Sequence, residues 1–351
     1  MHLYIRADAD GKIGAGHIMR CIALAQAWQD QGGKTTFISH CESDALKERI
    51  QSEGFRFIAL DNACPDSSDL KNTLSILMNE NGDQKKWLVL DGYHFTPEYQ
   101  KAIRDAGIRL LVIDDMNHLP RYHADIILNQ NIHAPDLKYK CNADTTLLLG
   151  TRYVLLRREF LKYRDFNRQV PDRAKNILVT LGGADPENIT LKVIEALKLL
   201  DESEIQAKII IGPANPHQDV LSQALAQVHF VAELLSNPTD MPALMKWADL
   251  AISAGGSTCW ELTYMKVPSL IMIFADNQEG IANGLGKKSA MVNLGWFDEN
   301  SIINIAKSLK EIIKDSQDRY SLNHNGHFLV DGRGVLRVQQ SIRNKTDYLT
   351  Q

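Results

Sequence analysis

A glycine-rich turn that ends in a histidine is the first candidate for chemistry, with the sequence IGAGH at residues 13–17. It follows an apolar run at 3–6 and precedes a segment whose apolar residues recur at helical spacing. Gly14 and Gly16 let the backbone come close to a ligand, and a helix N-terminus favours anions. An isolated histidine is more often structural, but His17 stands where the turn becomes helix. Because histidine titrates near neutral pH, this position favours a general base.

Two further glycine-rich turns follow apolar runs, SAGGST at 253–258 and LGGADP at 181–186. The first offers backbone N–H groups and hydroxyls that suit a diphosphate, although a tight turn is the plain alternative. Glu261 follows it, where it would accept hydrogen bonds from a ribose diol or only favour the helix dipole. The turn at 181–186 suits close approach of a ligand or a domain contact. None of these turns is a Walker sequence or a complete dinucleotide fingerprint.

Acidic and amide residues come directly after several apolar runs. Three alternative functions are open to the acids Asp91, Asp114 and Asp115. They could hold a metal ion, orient His17 or cap the following loops. Metal binding needs a tighter His/Asp set than the sequence contains, so we predict no metal site. The amides at 129–131 and 276–278 are suited to sugar hydroxyls. These positions converge only if the sheets that carry them face one another.

Short apolar runs alternate with amphipathic segments, which predicts parallel sheets covered by helices. The first series of strands is predicted at 3–6, 35–39, 55–60, 87–91 and 110–114. The second is predicted at 177–181, 208–211, 229–231, 250–253 and 269–274. The charged segment 157–175 is the best linker candidate. We therefore predict an α/β chain with domains at about 1–160 and 172–300, and a helical extension at 301–351 with helices from about Ser301 and Gly334.

Composition excludes several classes of protein. The chain has 351 residues, a net charge of −4, 44% hydrophobic and 23% charged residues, which is typical of globular domains. Without a basic stripe, nucleic acid is not expected as a partner. No apolar run approaches the ~20 residues of a membrane span. The five scattered cysteines and the early acidic residue at Asp8 predict a reduced, cytoplasmic protein without a signal peptide.

Taken together, these motifs resemble the glycosyltransferase-B architecture, in which two Rossmann-like domains face each other across a cleft. The bacterial enzyme that adds N-acetylglucosamine to the peptidoglycan lipid precursor is the superfamily relative that they suggest. More closely, the chain resembles the UDP-sugar hydrolases of pseudaminic acid synthesis. The resemblance covers about residues 1–300 and is weaker beyond, apart from the DGRG sequence at 331–334. It is carried by the stretches IRAD at 5–8, IGAGHIMR at 13–20, VIDD at 112–115, GTRYVLLR at 150–157, LGGADP at 181–186 and SAGGST at 253–258.

The resemblance implies an activity and a set of site residues. That family hydrolyses UDP-2,4-diacetamido-2,4,6-trideoxy-β-L-altropyranose to UDP and the free sugar, by attack of water on the anomeric carbon, without metal or cofactor. Carried over, His17 is the general base and Glu261 binds the ribose. The diphosphate is held by Gly256, Ser257 and Thr258 of the SAGGST loop. Two further positions, Tyr93 and Asn277, contact the substrate.

Three alternatives remain at the level of the sequence. A UDP-sugar-dependent glycosyltransferase needs almost the same residues, with an acceptor hydroxyl in place of water. A nucleotide-sugar-binding protein without catalysis is disfavoured by His17. A hydrolase of a related nonulosonic acid precursor would differ in the stereochemistry of the sugar, which the sequence does not specify. The expected partner in each case is a small UDP-sugar, and no oligomeric state is predicted.

Overall fold

The computed structural model describes residues 1–11, 13–79, 85–183, 185–200, 204–212, 215–298 and 300–347. The chain divides into two compact units. The first comprises Met1–Arg158 together with Gly332–Gln351, and the second comprises Glu159–Asp331. Among the described residues, no helix is both long and apolar enough to cross a bilayer. All five cysteines carry free thiols.

The first unit is built on a seven-stranded parallel sheet. Its strands are β1 His2–Ala7, β2 Lys34–Ser39, β3 Arg56–Ala59, β4 Lys86–Asp91, β5 Arg109–Ile113, β6 Ile126–Asn129 and β7 Thr146–Leu149. Their spatial order is β3-β2-β1-β4-β5-β6-β7. The direction of strand succession reverses between β1 and β4, and ligands of open parallel sheets bind at the carboxyl ends of strands at such a point.

Helices cover this sheet, and capping residues at their ends define where they begin and end. They are α1 Gly16–Asp30, α2 Asp44–Ser52, α3 Asp69–Asn79 and α4 Pro97–Asp105, and a short α5 spans Arg158–Leu161 at the boundary of the units. The Ser43 hydroxyl caps α2 by accepting from the Leu46 N–H, and Gly54 follows the helix with a positive φ of 84°. The predicted apolar face of α1 lies in the core of the unit.

The second unit contains a six-stranded parallel sheet. Its strands are β8 Asn176–Thr180, β9 Gln206–Ile211, β10 Val231–Ser236, β11 Leu250–Ala254, β12 Ser269–Ile273 and β13 Val292–Trp296, in the order β10-β9-β8-β11-β12-β13. Its helices are α6 Ile189–Lys198, α7 Gln218–Leu225, α8 Met241–Trp247, α9 Thr258–Tyr264, α10 Asp276–Lys287, α11 Ser301–Lys314 and α12 Ser316–His327. Each sheet is thus a Rossmann-like layer with its own apolar core.

The C-terminal fifty residues differ from the predicted extension. Helices α11 and α12 belong to the second unit, whereas α13, Gly334–Asp347, returns to the first unit and packs on α1. A Cβ on Gly334 would lie 2.2 Å from the Val154 carbonyl oxygen, so only glycine fits where the chain re-enters the first unit. Val338 and Ile342 then join the core beside α1. Gly334, the second glycine of the DGRG sequence, therefore has a packing function.

The predicted linker also differs, because most of it belongs to the second unit. The Arg168 guanidinium is buried there and donates to the carbonyls of Met245, Ala248 and Met265. Those carbonyls lie at the C-terminal ends of α8 and α9, which favour a cation. The segment that precedes residue 172 is thereby held against the second unit.

Candidate active site

His17 is the second residue of α1 and lies at the carboxyl edge of the first sheet. The turn before it depends on Gly14, whose φ of 73° favours glycine, and α1 begins at Gly16. The His17 Nδ1 atom lies 2.5 Å from Oδ1 of Asp91, the last residue of β4. Because a carboxylate only accepts, Nδ1 carries a proton, so in the neutral ring Nε2 keeps its lone pair. The Nε2 atom has no hydrogen-bond partner among the described residues.

Asp91 is buried and ionised. Its oxygens accept from Nε and Nη2 of Arg20, each at 2.6 Å. Burial by itself raises the pKa of Asp91, but the Arg20 cation and His17 outweigh it and hold that pKa well below its usual range. The carboxylate therefore stays charged at neutral pH and fixes the tautomer and orientation of His17, as the acid of a His–Asp pair does.

Tyr93 lies beside His17 in the same unit. Its hydroxyl donates to Oδ2 of Asp115 at 2.7 Å, and its ring meets the His17 ring edge-on at 5.1 Å between centroids. Oδ1 of Asp115 accepts from Arg20 at 2.9 Å and from the Asn131 amide at 2.7 Å. Burial raises the pKa of Asp115, and Arg20 reverses that effect, so the pKa is lowered. The structure thus brings together two predicted site residues, His17 and Tyr93.

Asp114 is engaged by the protein itself. It accepts from the hydroxyls of Tyr122 and Tyr139 at 2.9 and 2.6 Å and from the Asn117 N–H at 2.7 Å. Of the three functions open to these acids, Asp91 orients His17 and Asp114 caps the following loop. The described residues contain no group of three or more His, Cys, Asp or Glu side chains placed to hold a metal ion.

In the second unit, the SAGGST loop follows β11 and packs against the first turn of α10. A Cβ on Gly255 would lie 3.0 Å from the Gln278 carbonyl oxygen and 3.2 Å from the Ala282 methyl group. A Cβ on Gly256 would meet nothing within 4 Å. The φ of Gly256 is not positive, so neither packing nor backbone conformation within the described part of the chain requires glycine there.

Two hydroxyls of this loop form no side-chain hydrogen bond with the described residues. Ser257 precedes α9 without forming a side-chain cap, and no side-chain hydrogen bond occupies Thr258. The Ser253 hydroxyl, in contrast, donates to the Thr180 carbonyl at 2.9 Å. The residues predicted to bind the substrate in this unit follow two neighbouring strands, β11 and β12, at the carboxyl edge of the sheet. Glu261 lies in the first turn of α9 and Asn277 in the first turn of α10.

The third glycine turn has a structural function at one position. The Asp185 carboxylate is buried and accepts from the N–H groups of Ile189 and Thr190 at 2.7 and 2.9 Å, which caps α6. A Cβ on Gly212 would lie 2.0 Å from the Gly183 carbonyl oxygen, so the turns after β8 and β9 touch. Ala184 of the motif lies outside the described residues.

Arg20 is the main site residue that sequence reasoning missed. Its signal is its place three residues after His17, within the otherwise apolar face of a buried helix. A buried arginine requires acceptors for its N–H groups, and those of Arg20 are carboxylates. Those partners lie 71 and 95 residues away along the chain, so the local pattern does not identify them.

The fold and the site together define a class of protein. Residues 176–332 match the glycosyltransferase family 28 C-terminal domain. The whole chain is similar in structure to S. aureus MnaA in a UDP co-structure, with a TM-score of 0.69, 13% identity, and coverage of 100% of this chain and 98% of that one. MurG of Acinetobacter baumannii aligns with a TM-score of 0.62, 13% identity, and coverage of 98% and 99%. The predicted fold class, two Rossmann-like units of the glycosyltransferase-B type, is confirmed.

Three relatives are similar to the chain in sequence. The chain is 27% identical over 352 residues to uncharacterized protein MJ1062 of Methanocaldococcus jannaschii, covering 96% of this chain and 70% of that protein. It is 26% identical over 340 residues to the spore coat polysaccharide biosynthesis protein SpsG of Bacillus subtilis, covering 96% of each. It is 24% identical over 295 residues to the UDP-2,4-diacetamido-2,4,6-trideoxy-β-L-altropyranose hydrolase of Campylobacter jejuni, covering 82% and 97%. The resemblance to this hydrolase family is confirmed.

Proposed function

We propose that the protein is a nucleotide-sugar hydrolase of pseudaminic acid biosynthesis. Its substrate is UDP-2,4-diacetamido-2,4,6-trideoxy-β-L-altropyranose, and its products are UDP and the free diacetamido sugar. The observation that carries the proposal is the His17–Asp91 pair, a general base held in one tautomer by a buried carboxylate. Similarity to the C. jejuni hydrolase over 82% of the chain supports the choice of substrate.

The proposed reaction requires one base and a site for the leaving group. Nε2 of His17 accepts a proton from water while the water oxygen attacks the anomeric carbon. The bond between that carbon and the β-phosphate oxygen breaks, and UDP leaves with the bonding electrons. Asp91 stabilises the imidazolium that forms. UDP is a good leaving group, so the reaction proceeds without a metal ion or a cofactor.

The remaining site residues bind the substrate in this proposal. Gly14 and Gly16 allow the backbone before α1 to approach the sugar, and Tyr93 contacts it. In the second unit, N–H groups and hydroxyls of the SAGGST loop hold the diphosphate. Glu261 binds the ribose and Asn277 contacts the substrate. The open space around Gly256 and the uncommitted hydroxyls of Ser257 and Thr258 support this assignment.

A UDP-release assay with the purified protein tests the proposal. Candidate UDP-diacetamido sugars are incubated with and without an acceptor alcohol, and the products are identified by NMR. We expect UDP and the free sugar in the absence of an acceptor, with one epimer strongly preferred. Absence of hydrolysis with every candidate would contradict the proposal.

A UDP-sugar-dependent glycosyltransferase is the second candidate, favoured by the family 28 match over residues 176–332. It predicts that UDP release depends on the acceptor and that the sugar is recovered attached to it. A third outcome, hydrolysis of a related nonulosonic acid precursor, would be revealed by the preferred epimer.

A further inference from the structure

We propose that Arg20 is a positioning residue that couples His17 to Tyr93. It binds the carboxylate that orients His17 and the carboxylate that holds Tyr93, so both side chains keep one common geometry. The kinetic part of this inference rests on the proposed function, whereas its spectroscopic part does not.

A continuous chain of hydrogen bonds carries the proposal. Arg20 donates twice to Asp91 at 2.6 Å and once to Asp115 at 2.9 Å. On the far side of these carboxylates, Asp91 holds Nδ1 of His17 at 2.5 Å and Asp115 holds the Tyr93 hydroxyl at 2.7 Å. The contacts of Arg20 with Asp91 and Asp115 are buried, which shields them from water and strengthens them.

Only arginine has the shape for this task. Its planar fork presents donors in different directions from one rigid group, so one cation binds two carboxylates at once. A lysine ammonium in the same place carries the charge but binds Asp91 or Asp115, not both with this geometry. Without any cation, two buried carboxylates would repel each other and raise one another's pKa.

A second buried arginine in the same unit provides a matched control. Arg6 also bridges two carboxylates, those of Asp8 and Asp69. Asp8 also accepts from the backbone N–H groups of His40 and Cys64, which are structural partners. Arg6 therefore has the burial and pairing of Arg20, but its carboxylates hold neither His17 nor Tyr93.

The test compares Arg20→Lys, Arg20→Gln and Arg6→Lys with the parent. We expect Arg20→Lys to lower kcat by about 10²-fold, because reacting groups misplaced by about 1 Å cost that much, with KM changed less than about threefold. In ligand-free protein, NMR of the His17 ring should show that Arg20→Gln weakens or removes the Nδ1–H signal of the hydrogen bond to Asp91, because Arg20 no longer holds that carboxylate in place. Arg6→Lys should lower stability without changing that signal.

Each outcome decides the proposal. A folded Arg20→Lys variant with parental kcat, or a folded Arg20→Gln variant with an unchanged His17 Nδ1–H signal, would overturn it. If neither variant folds, Asp115→Asn is measured alone and in a Tyr93→Phe background. Coupling through Arg20 predicts a loss of kcat of about tenfold in both backgrounds. A loss that disappears in the Tyr93→Phe background would show that Asp115 acts through Tyr93 alone.

The two proposals fail separately. If the parent protein hydrolyses no candidate substrate but Arg20→Gln still changes the His17 Nδ1–H signal, the proposed function is wrong and the positioning role stands. If the parent hydrolyses the substrate and the Arg20 variants keep its kcat and its His17 Nδ1–H signal, the positioning role is wrong and the function stands.

Discussion

At the scale of single residues, the His17–Asp91 contact joins two positions 74 residues apart in sequence. The parallel pairing of β1 with β4 places Ala7 beside Asp91, and the turn after β1 then carries His17 to the same edge of the sheet. The proposed general base is therefore a single imidazole. Its removal should therefore affect turnover far more than nucleotide affinity.

The first prediction is that His17→Asn keeps UDP affinity and loses turnover. Removal of a general base costs about 10²–10⁴-fold in kcat. The dissociation constant for UDP, measured by calorimetry, should change by less than about threefold, because the proposed UDP-binding residues lie in another part of the chain. A variant that keeps near-parental kcat would remove His17 from its proposed role.

The acidic residues after β5 lead to a second prediction, on metal dependence. The carboxylate oxygens of Asp114 and Asp115 accept hydrogen bonds from tyrosine, arginine and amide donors. Metal binding there would break several of these buried hydrogen bonds. We expect full activity after EDTA treatment. A loss of activity that Mg²⁺ or Mn²⁺ restores would contradict this and would direct mutagenesis to these two acids.

The third prediction concerns pH and His118. The hydrogen bond to Asp114 raises the pKa of His118, and Nε2 also lies 2.8 Å from the Tyr93 carbonyl oxygen. Since the folded pKa exceeds the unfolded value of about 6.5, this stabilisation is complete at lower pH and is lost as pH rises through the folded pKa. Between about pH 6 and 8, the Tm of the parent should therefore fall relative to that of His118→Gln.

His123→Gln provides the control for this measurement. Burial lowers the pKa of His123, so its contribution has the opposite sign and is lost as pH falls. The difference in Tm between parent and this variant should change with pH in the opposite direction. Parallel Tm profiles for the parent and His118→Gln would contradict the His118–Asp114 ion pair.

At the scale of elements, the two neighbouring glycines of the SAGGST loop differ in the space that surrounds them. Gly255 faces the first turns of α10, where a Cβ would press on the Gln278 carbonyl oxygen at 3.0 Å. Gly256 faces open space. The same loop therefore contains one glycine that the fold needs and one that it does not need.

The fourth prediction uses this pair. Gly255→Ala should lower the free energy of unfolding by about 1–3 kcal/mol through overpacking, measured by urea denaturation. Gly256→Ala should leave it unchanged within about 0.5 kcal/mol but weaken UDP binding by about tenfold, because its methyl group occupies space that the diphosphate needs. Parental UDP affinity in Gly256→Ala would contradict the placement of the diphosphate at this loop.

Element patterns also show what the sequence could predict. The interior strands β4, β5, β8, β11 and β12 are continuous apolar runs, because parallel strands are buried on both faces, and they lie where predicted. The strand predicted at 229–231 was placed wrongly, because β10 spans Val231–Ser236. The edge strands β7 and β13 were not predicted, since their residues are partly exposed and lack a clear period. Helix α12 was missed because SQDRYSLNHNGH contains few apolar residues. It is held instead by Arg319, which donates to carbonyls at the end of α11.

For the site, single-residue signals could be predicted and pairings could not. A histidine after a GxG turn and acids after strands are local features, and the structure brings His17, Asp91 and Tyr93 together. The bridge made by Arg20 depends on strand order, because Asp91 and Asp115 follow the neighbouring strands β4 and β5. Strand order is a property of the folded sheet and is not encoded in any local window.

At the scale of the whole molecule, each of the two Rossmann-like units carries a different part of the proposed chemistry. The first unit holds the proposed base, His17, and the second holds the loop assigned to the diphosphate. The chain passes from the first unit to the second at Arg158 and returns after Asp331 through the Gly334 contact. Both units must therefore be present for any test of the complete reaction, which excludes experiments on isolated fragments.

The most direct test of the central claim asks which bond of the UDP-sugar breaks in the intact protein. A base that activates water toward the anomeric carbon cleaves the C–O bond, whereas attack on phosphorus cleaves the P–O bond. The reaction is run in H₂¹⁸O with UDP-2,4-diacetamido-2,4,6-trideoxy-β-L-altropyranose, and the products are analysed by mass spectrometry. We predict ¹⁸O in the free sugar and none in UDP. Label in a phosphate group would contradict the mechanism and remove His17 from its proposed role.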